Sequence, residues 1–137
     1  MADEVFVDTS GFYALVAKGD SAHAAASAFL RRAAGKKRRF FTTDYVLDET
    51  ATLLSARGLR HLVAQVFEIV LNSKACAVEW MDPEKFSETR GFFSKRADQA
   101  WSFTDCFSFL VMRELAVSEA LTKDRNFQEA GFSALLL

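Results

Sequence analysis

Five short apolar runs, at residues 4–7, 40–43, 75–80, 120–122 and 132–136, punctuate a chain otherwise patterned for helices. A run this short that is apolar on both faces offers no side to water. That is the signature of a strand covered by helices in a parallel sheet. The stretches between the runs supply the crossovers that parallel strands need. Asp8-Thr9-Ser10-Gly11 closes the first run with a turn and a helix start, and a short helix is expected over 12–17. Asp20-Ser21 is expected to cap a second helix that runs to about residue 34, before Gly35. Asp44 opens a third, in which Val46, Leu47, Thr50, Leu53 and Leu54 lie at helical spacing until Gly58 breaks it. A fourth is expected over 61–71. Asp82-Pro83 starts another that runs to about residue 96, since Pro fits a first turn without losing a needed donor. Ser102 or Thr104 opens the last, over 105–114, with Phe107, Leu110 and Val111 on its apolar face. Right-handed crossovers then give a three-layer α/β/α sandwich.

Size and composition agree. A chain of 137 residues, half of them hydrophobic and 14 of them Phe, suits one domain over 1–137 with an ample core and leaves no room for a second. No apolar run approaches the ~18 residues of a membrane-spanning helix. Met1-Ala2-Asp3-Glu4 is an acidic start with no secretory signal. The expected location is therefore the cytoplasm, with no membrane partner. Cys76 and Cys106 lack metal-ligand spacing and read as free thiols. Seventeen basic residues stand against 18 acidic ones, so binding to a polyanion would need a local patch.

Chemistry in an open parallel sheet collects at the carboxyl ends of its strands, and several acids fall there. Asp8 ends the first run and Asp124 follows the fourth. Asp105 lies in a helix's first turn directly after Thr104, and Glu49 lies one turn into the helix after the second run. Taken singly, each has an ordinary explanation. Asp105 would favour the helix dipole, Asp8 and Asp124 would serve as turn or cap residues, and Glu49 would be a solvated helix residue. Together they converge on one sheet edge. Two carboxylates ~4 Å apart repel by ~4 kcal/mol at an effective dielectric of ~20, so four in one cleft need a compensating cation. An all-oxygen donor set selects a hard ion such as Mg²⁺ or Mn²⁺. Such an ion can position a phosphodiester, activate water and stabilise a leaving oxygen.

The same residues carry a resemblance. Val5-Phe6-Val7-Asp8-Thr9-Ser10, Asp48-Glu49-Thr50, Trp101-Ser102-Phe103-Thr104-Asp105-Cys106 and Leu121-Thr122-Lys123-Asp124-Arg125-Asn126-Phe127 resemble the successive acidic motifs of PIN domains. They are most similar to the VapC-like ribonuclease toxins of toxin–antitoxin pairs. The resemblance spans essentially the whole chain, and the Trp-Ser-x-Thr-Asp-Cys stretch is its most specific part. It implies a five-stranded parallel sheet and a Mg²⁺- or Mn²⁺-dependent endoribonuclease acting on single-stranded RNA. It also implies a homodimer and a small antitoxin partner. Asp8, Glu49, Asp105 and Asp124 would be both the catalytic and the metal-binding residues. Ser10 would orient the site's water or acids, and Thr104 would be a cap or a partner of the third acid. Asp98 matches an acid often present there and receives no role. Where the family usually has a second acid or small polar residue two positions after the last acid, this chain has Asn126. Asn126 is expected to accept a hydrogen bond or hold a water, with a second metal held weakly.

Six basic residues (Arg31, Arg32, Lys36, Lys37, Arg38 and Arg39) crowd one nine-residue window. Two readings are open: a phosphate-tracking patch, or a solvated helix end on the face opposite the acids. Setting the four acids aside turns the formal charge of −1 slightly positive. His23 and His61 are apart from the acidic motifs and read as solvated or capping residues. Phe12, Tyr13, Phe92, Phe93 and Trp101 are either core filling or part of an exposed face for a dimer or antitoxin.

Two other classes share this pattern. A phosphoryl-transfer domain on a similar sheet would need an acid directly after Asp8 or two residues on, where Thr9 and Ser10 stand. A non-catalytic PIN-like binding module would keep the fold without the chemistry.

Overall fold

The apolar runs form five parallel strands in the computed structural model, which describes residues 4–137. The acidic start at residues 1–3, on which the expectation of no secretory signal drew, lies outside the described residues. The strands are β1 (Glu4–Val7), β2 (Arg39–Thr43), β3 (Cys76–Glu79), β4 (Glu119–Leu121) and β5 (Ser133–Ala134). The helices are α1 (Thr9–Val16), α2 (His23–Gly35), α3 (Asp44–Ala56), α4 (Val63–Asn72), α5 (Pro83–Lys95), α6 (Phe103–Glu114) and α7 (Arg125–Glu129). A 3₁₀ turn at Arg60–Leu62 leads into α4.

The sheet order is β3-β2-β1-β4-β5. The chain builds outward from β1 through β2 to β3, then returns to the other flank of β1 to lay down β4 and β5. Helices α1 to α4 pack among themselves, and α5 packs on α6 and α6 on α7. Right-handed crossovers place the two groups on opposite faces. The result is the three-layer α/β/α sandwich.

Burial explains the apolar runs. Val5, Phe6, Ala120 and Leu121 are wholly excluded from solvent. Phe109 of α6 meets Phe127 of α7 edge-on, with ring centroids 4.9 Å apart, and Trp101 likewise at 5.0 Å. Edge-to-face pairs of this kind add about 0.5–1.5 kcal/mol beyond the area they bury. The core thus ties α6 and α7 to the β1–β4 half of the sheet.

Some boundaries differ from the expectation. Helix α2 begins at His23, not at Asp20-Ser21, because the Asp20 carboxylate is used elsewhere: it accepts from the Ala22 N–H and from the Lys123 ammonium. Ser102, not Thr104, caps α6, in a reciprocal box with Asp105. Helix α7 was not expected. It is only five residues long and starts where the Asp124 carboxylate takes up the Asn126 N–H. Strand β5 is two residues long, although Leu135 and Leu136 still donate to carbonyls of Ala120 and Thr122.

Candidate active site

The point where strand order reverses lies between β1 and β4, and in open α/β sheets that crevice is the natural ligand site. Asp8 leaves the end of β1 there and Thr122 leaves the end of β4. Their backbones are joined by the Asp8 N–H donating to the Leu121 carbonyl. The approach is close enough to require glycine at position 11, where a Cβ would lie 2.1 Å from the Leu121 oxygen.

Asp8 is the N-cap of α1 by position, yet its side chain makes no cap bond to that helix's later N–H groups. Its Oδ2 instead accepts from the Thr122 hydroxyl at 2.9 Å. Thr122 Oγ1 also accepts from the Asp124 N–H at 3.0 Å and lies 3.0 Å from Ser10 Oγ. Since the single Thr122 proton is committed to Asp8, Ser10 is the donor in that pair. Ser10 Oγ in turn accepts from the Lys123 N–H at 2.8 Å. One chain of donors therefore runs from the Lys123 amide through Ser10 and Thr122 to the Asp8 carboxylate. Successive hydrogen bonds of this kind polarise one another.

Glu49 projects from α3 and accepts from the Thr9 hydroxyl at 2.7 Å. Asp105 enters from α6 on the opposite face of the sheet. Its Oδ2 accepts from the Ser102 N–H at 3.2 Å and from the Asn126 side-chain amide at 3.1 Å. Asp105 thus sits in the first turn of α6, as the helix-dipole explanation has it, and its carboxylate also takes the Asn126 amide. Asp124 keeps its cap role through Oδ1. Asn126, expected to accept, donates instead. An acid at that position would face Asp105 with like charge, whereas the amide gives it a hydrogen bond. Thr104 lies within the first turn of α6, where its carbonyl accepts from Ser108.

The electrostatics tie the four acids together. Burial is the main influence on Asp8, which is pushed up to about 7, with the charges of Asp105 and Glu49 adding to the rise against hydrogen bonds from Thr9 and Thr122. Asp105 is also raised, first by burial and further by the charges of Asp124 and Glu49. The two buried acids, Asp8 and Asp105, therefore each sense other acids of the crevice. Among the described residues, however, no group of three or more His, Cys, Asp and Glu side chains is arranged to hold a metal ion by itself. What the site offers is a set of mutually repelling oxygen donors, partly desolvated and steadied by hydroxyl and amide groups. Burial pushes both thiols, Cys76 and Cys106, up to about 11, with the neighbouring Asp105 charge adding to the rise at Cys106.

Sequence reasoning missed Thr9, Thr122 and Ser102 as orienting residues. Each follows or precedes an acid by one to three positions, and that adjacency was the available signal. Of the aromatics, Phe12 and Trp101 are core, Tyr13 and Phe92 are half-buried, and Phe93 is exposed. The basic run lies at the amino end of β2, away from the carboxyl edge that carries the acids, and Arg38 pairs with Glu119. His23 bonds the Ala14 carbonyl at 2.7 Å, and His61 is exposed in the 3₁₀ turn.

Comparison with known proteins gives a consistent result. Residues 5–133 match the PIN domain family. The chain is 33% identical over 128 residues to the 23S rRNA-specific endonuclease VapC20 of Mycobacterium tuberculosis, from two strains, covering 93% of this chain and 95% of the relative. The crystal structure of M. tuberculosis VapC20, described as a sarcin–ricin loop cleaving toxin, superposes with a TM-score of 0.81 at 32% identity. That superposition covers 93% of this chain and 95% of the other.

Proposed function

This chain belongs to the PIN domain family, and from that premise we propose that it is the ribonuclease toxin of a toxin–antitoxin pair, a divalent-metal-dependent enzyme that cuts single-stranded RNA. Its relative acts on 23S rRNA, which makes that RNA the first substrate to test. The observation that carries the reading is the convergence of the four acids on one crevice: burial raises Asp8 and Asp105, the charges of Asp105 and Glu49 add to the rise at Asp8, and those of Asp124 and Glu49 add to it at Asp105.

Asp8, Glu49, Asp105 and Asp124 would hold Mg²⁺ or Mn²⁺, and the bound ion would supply a nucleophile from water and charge neutralisation at phosphorus. Mg²⁺ keeps several waters and takes one or two carboxylates together with substrate phosphate. A set of acids that does not close a shell alone suits that demand. Thr122 and Thr9 fix the Asp8 and Glu49 carboxylates in position. Ser10 orients Thr122, and Asn126 keeps Asp105 from turning away. The burial of Asp8 and Asp105 excludes bulk water from the anionic edge.

Partners follow from the surface. An apolar groove of about 780 Å³ runs between α2 and α4, floored by Phe40, Val66 and Val70 and edged by Lys37, Arg39 and Lys74. Its shape and charge suit the amphipathic, acidic helix of an antitoxin. Trp80, Phe86 and Phe93 are exposed and would serve a homodimer contact. Among the described residues no helix is long and apolar enough to cross a membrane, and we place the protein in the cytoplasm.

The test is cleavage of 23S rRNA by the purified protein. Wild type cuts with Mg²⁺ or Mn²⁺, and Asp8→Asn and Asp105→Asn do not. Full activity in EDTA, or in both variants, contradicts the reading. The second reading, a non-catalytic binding module, draws on Asn126, whose hydrogen bond satisfies Asp105 without a cation. Such a module would leave RNA intact under every condition.

A further inference from the structure

Helices α1 and α3 meet in two successive rungs. In the first, Thr9 donates to Glu49 at the acidic edge. In the second, the Arg57 guanidinium lies over the Tyr13 ring, 5.0 Å from its centroid. Tyr13 is four residues beyond Thr9, ~6 Å along α1, and Arg57 is eight beyond Glu49, ~12 Å along α3. The anionic and cationic rungs are thus ~6–12 Å apart along the helices, within the reach of two nucleotides.

Beside the second rung lies a cavity of about 640 Å³ walled by Tyr13, Lys18, Asp20, Arg57 and His61. This volume is within the usual range for a small-ligand site. The one acid on its wall is already neutralised: Asp20 accepts twice from the Lys123 ammonium, at 2.9 and 3.1 Å. Lys18, Arg57 and His61 share the wall, two of them cations at neutral pH, and the Arg57 charge also acts on Asp20. Lys123 also joins the cavity to the acidic centre, because its amide donates to Ser10 while its ammonium holds Asp20. An aromatic ring with a guanidinium over it is a stacking platform that accepts any base, and nearby cations meet the phosphate that accompanies it.

We propose that the Tyr13–Arg57 cavity binds one unpaired nucleotide of the RNA, a short step along the strand from the bond that is cut. The base stacks on the Tyr13–Arg57 pair, and its phosphate meets Lys18 and His61. The basic run at residues 31–39, by contrast, takes no part, because it lies at the other end of the sheet. This proposal rests on the ribonuclease reading, and it adds a subsite that sets which strand segment is presented to the acids.

The experiment compares two substrates of the purified protein: a 23S rRNA fragment carrying the cleaved bond, and a dinucleotide holding that bond alone, too short to fill the cavity. Arg57→Gln and Tyr13→Leu are measured beside wild type and Lys36→Ala, with thermal melts to establish folding. On the fragment, KM rises about tenfold or more in Arg57→Gln and Tyr13→Leu, with kcat within about twofold, while Lys36→Ala matches wild type. On the dinucleotide all four proteins agree. Unchanged KM on the fragment overturns the proposal, as does an equal loss on both substrates. Because Arg57 is exposed, its variant decides the matter even if Tyr13→Leu fails to fold. Wild-type protein that cuts neither RNA contradicts the ribonuclease reading itself, a different and recognisable failure.

Discussion

The Thr122 hydroxyl donates to the Asp8 carboxylate across 2.9 Å, joining side chains 114 positions apart in the chain. The bond exists because β4 returns to the flank of β1, so that the ends of both strands open onto one crevice. Thr122 is wholly buried and serves three neighbours at once: Asp8, Ser10 and the Asp124 amide.

Thr122→Val keeps the shape and removes that hydroxyl. Asp8 is then left buried with one donor fewer. Activity is expected to fall by about 10–100-fold, the usual effect of deleting a group that orients a metal ligand. The melting temperature should fall as well, since an unsatisfied buried group costs about 1–3 kcal/mol. Cleavage rates and thermal melts check both.

The raised Asp8 carboxyl makes a prediction about pH. Its native value of about 7 stands above the ordinary 3.8, so the folded protein binds more protons than the unfolded chain between the two. Without divalent ions, stability is greatest below about pH 4 on this group's account and declines as pH rises to about 7, by a few kcal/mol. Denaturant melts in EDTA across that window should show the decline, and Asp8→Asn should flatten it. Added Mn²⁺ should restore stability at the upper end.

Asn126→Asp replaces a hydrogen bond to Asp105 with like charge. In EDTA the variant should melt lower than wild type, and saturating Mn²⁺ should recover most of the loss. A variant as stable as wild type in EDTA would mean that Asn126 and Asp105 are not electrostatically coupled.

Gly11→Ala drives a methyl group into the Leu121 carbonyl. The strand ends that hold Asp8 and Thr122 would be forced apart. Soluble yield should drop sharply, and any folded fraction should lack ribonuclease activity. Circular dichroism and a cleavage assay report the two effects separately.

The central strands were legible because burial on both faces leaves no polar alternation, and Val5, Phe6 and Leu121 have no exposure at all, whereas the edge strand β3 is only half-buried. Asp8, Asp105 and Asp124 were legible because each follows a strand or sits at a helix start, and Glu49 because it lies one turn into the helix after the second strand. What was hidden depended on three dimensions. Asp20 looked like a helix cap, and only folding brings it to Lys123, 103 positions away. Asn126 looked like an acceptor until the five-residue α7 turned its amide toward Asp105. A helix that short leaves no periodic trace in the sequence. Tyr13 read as core filling or as part of an exposed face, and the platform proposed for it depends on Arg57, the residue just past the end of α3.

Calorimetric titration of the purified protein with Mn²⁺ tests the account most directly, because it asks whether the acids share an ion before any RNA is present. Wild type should bind at micromolar to millimolar concentration, and Asp8→Asn and Asp105→Asn should each weaken that binding about tenfold or more. Identical isotherms for wild type and both variants, or no binding to any of them, would contradict it.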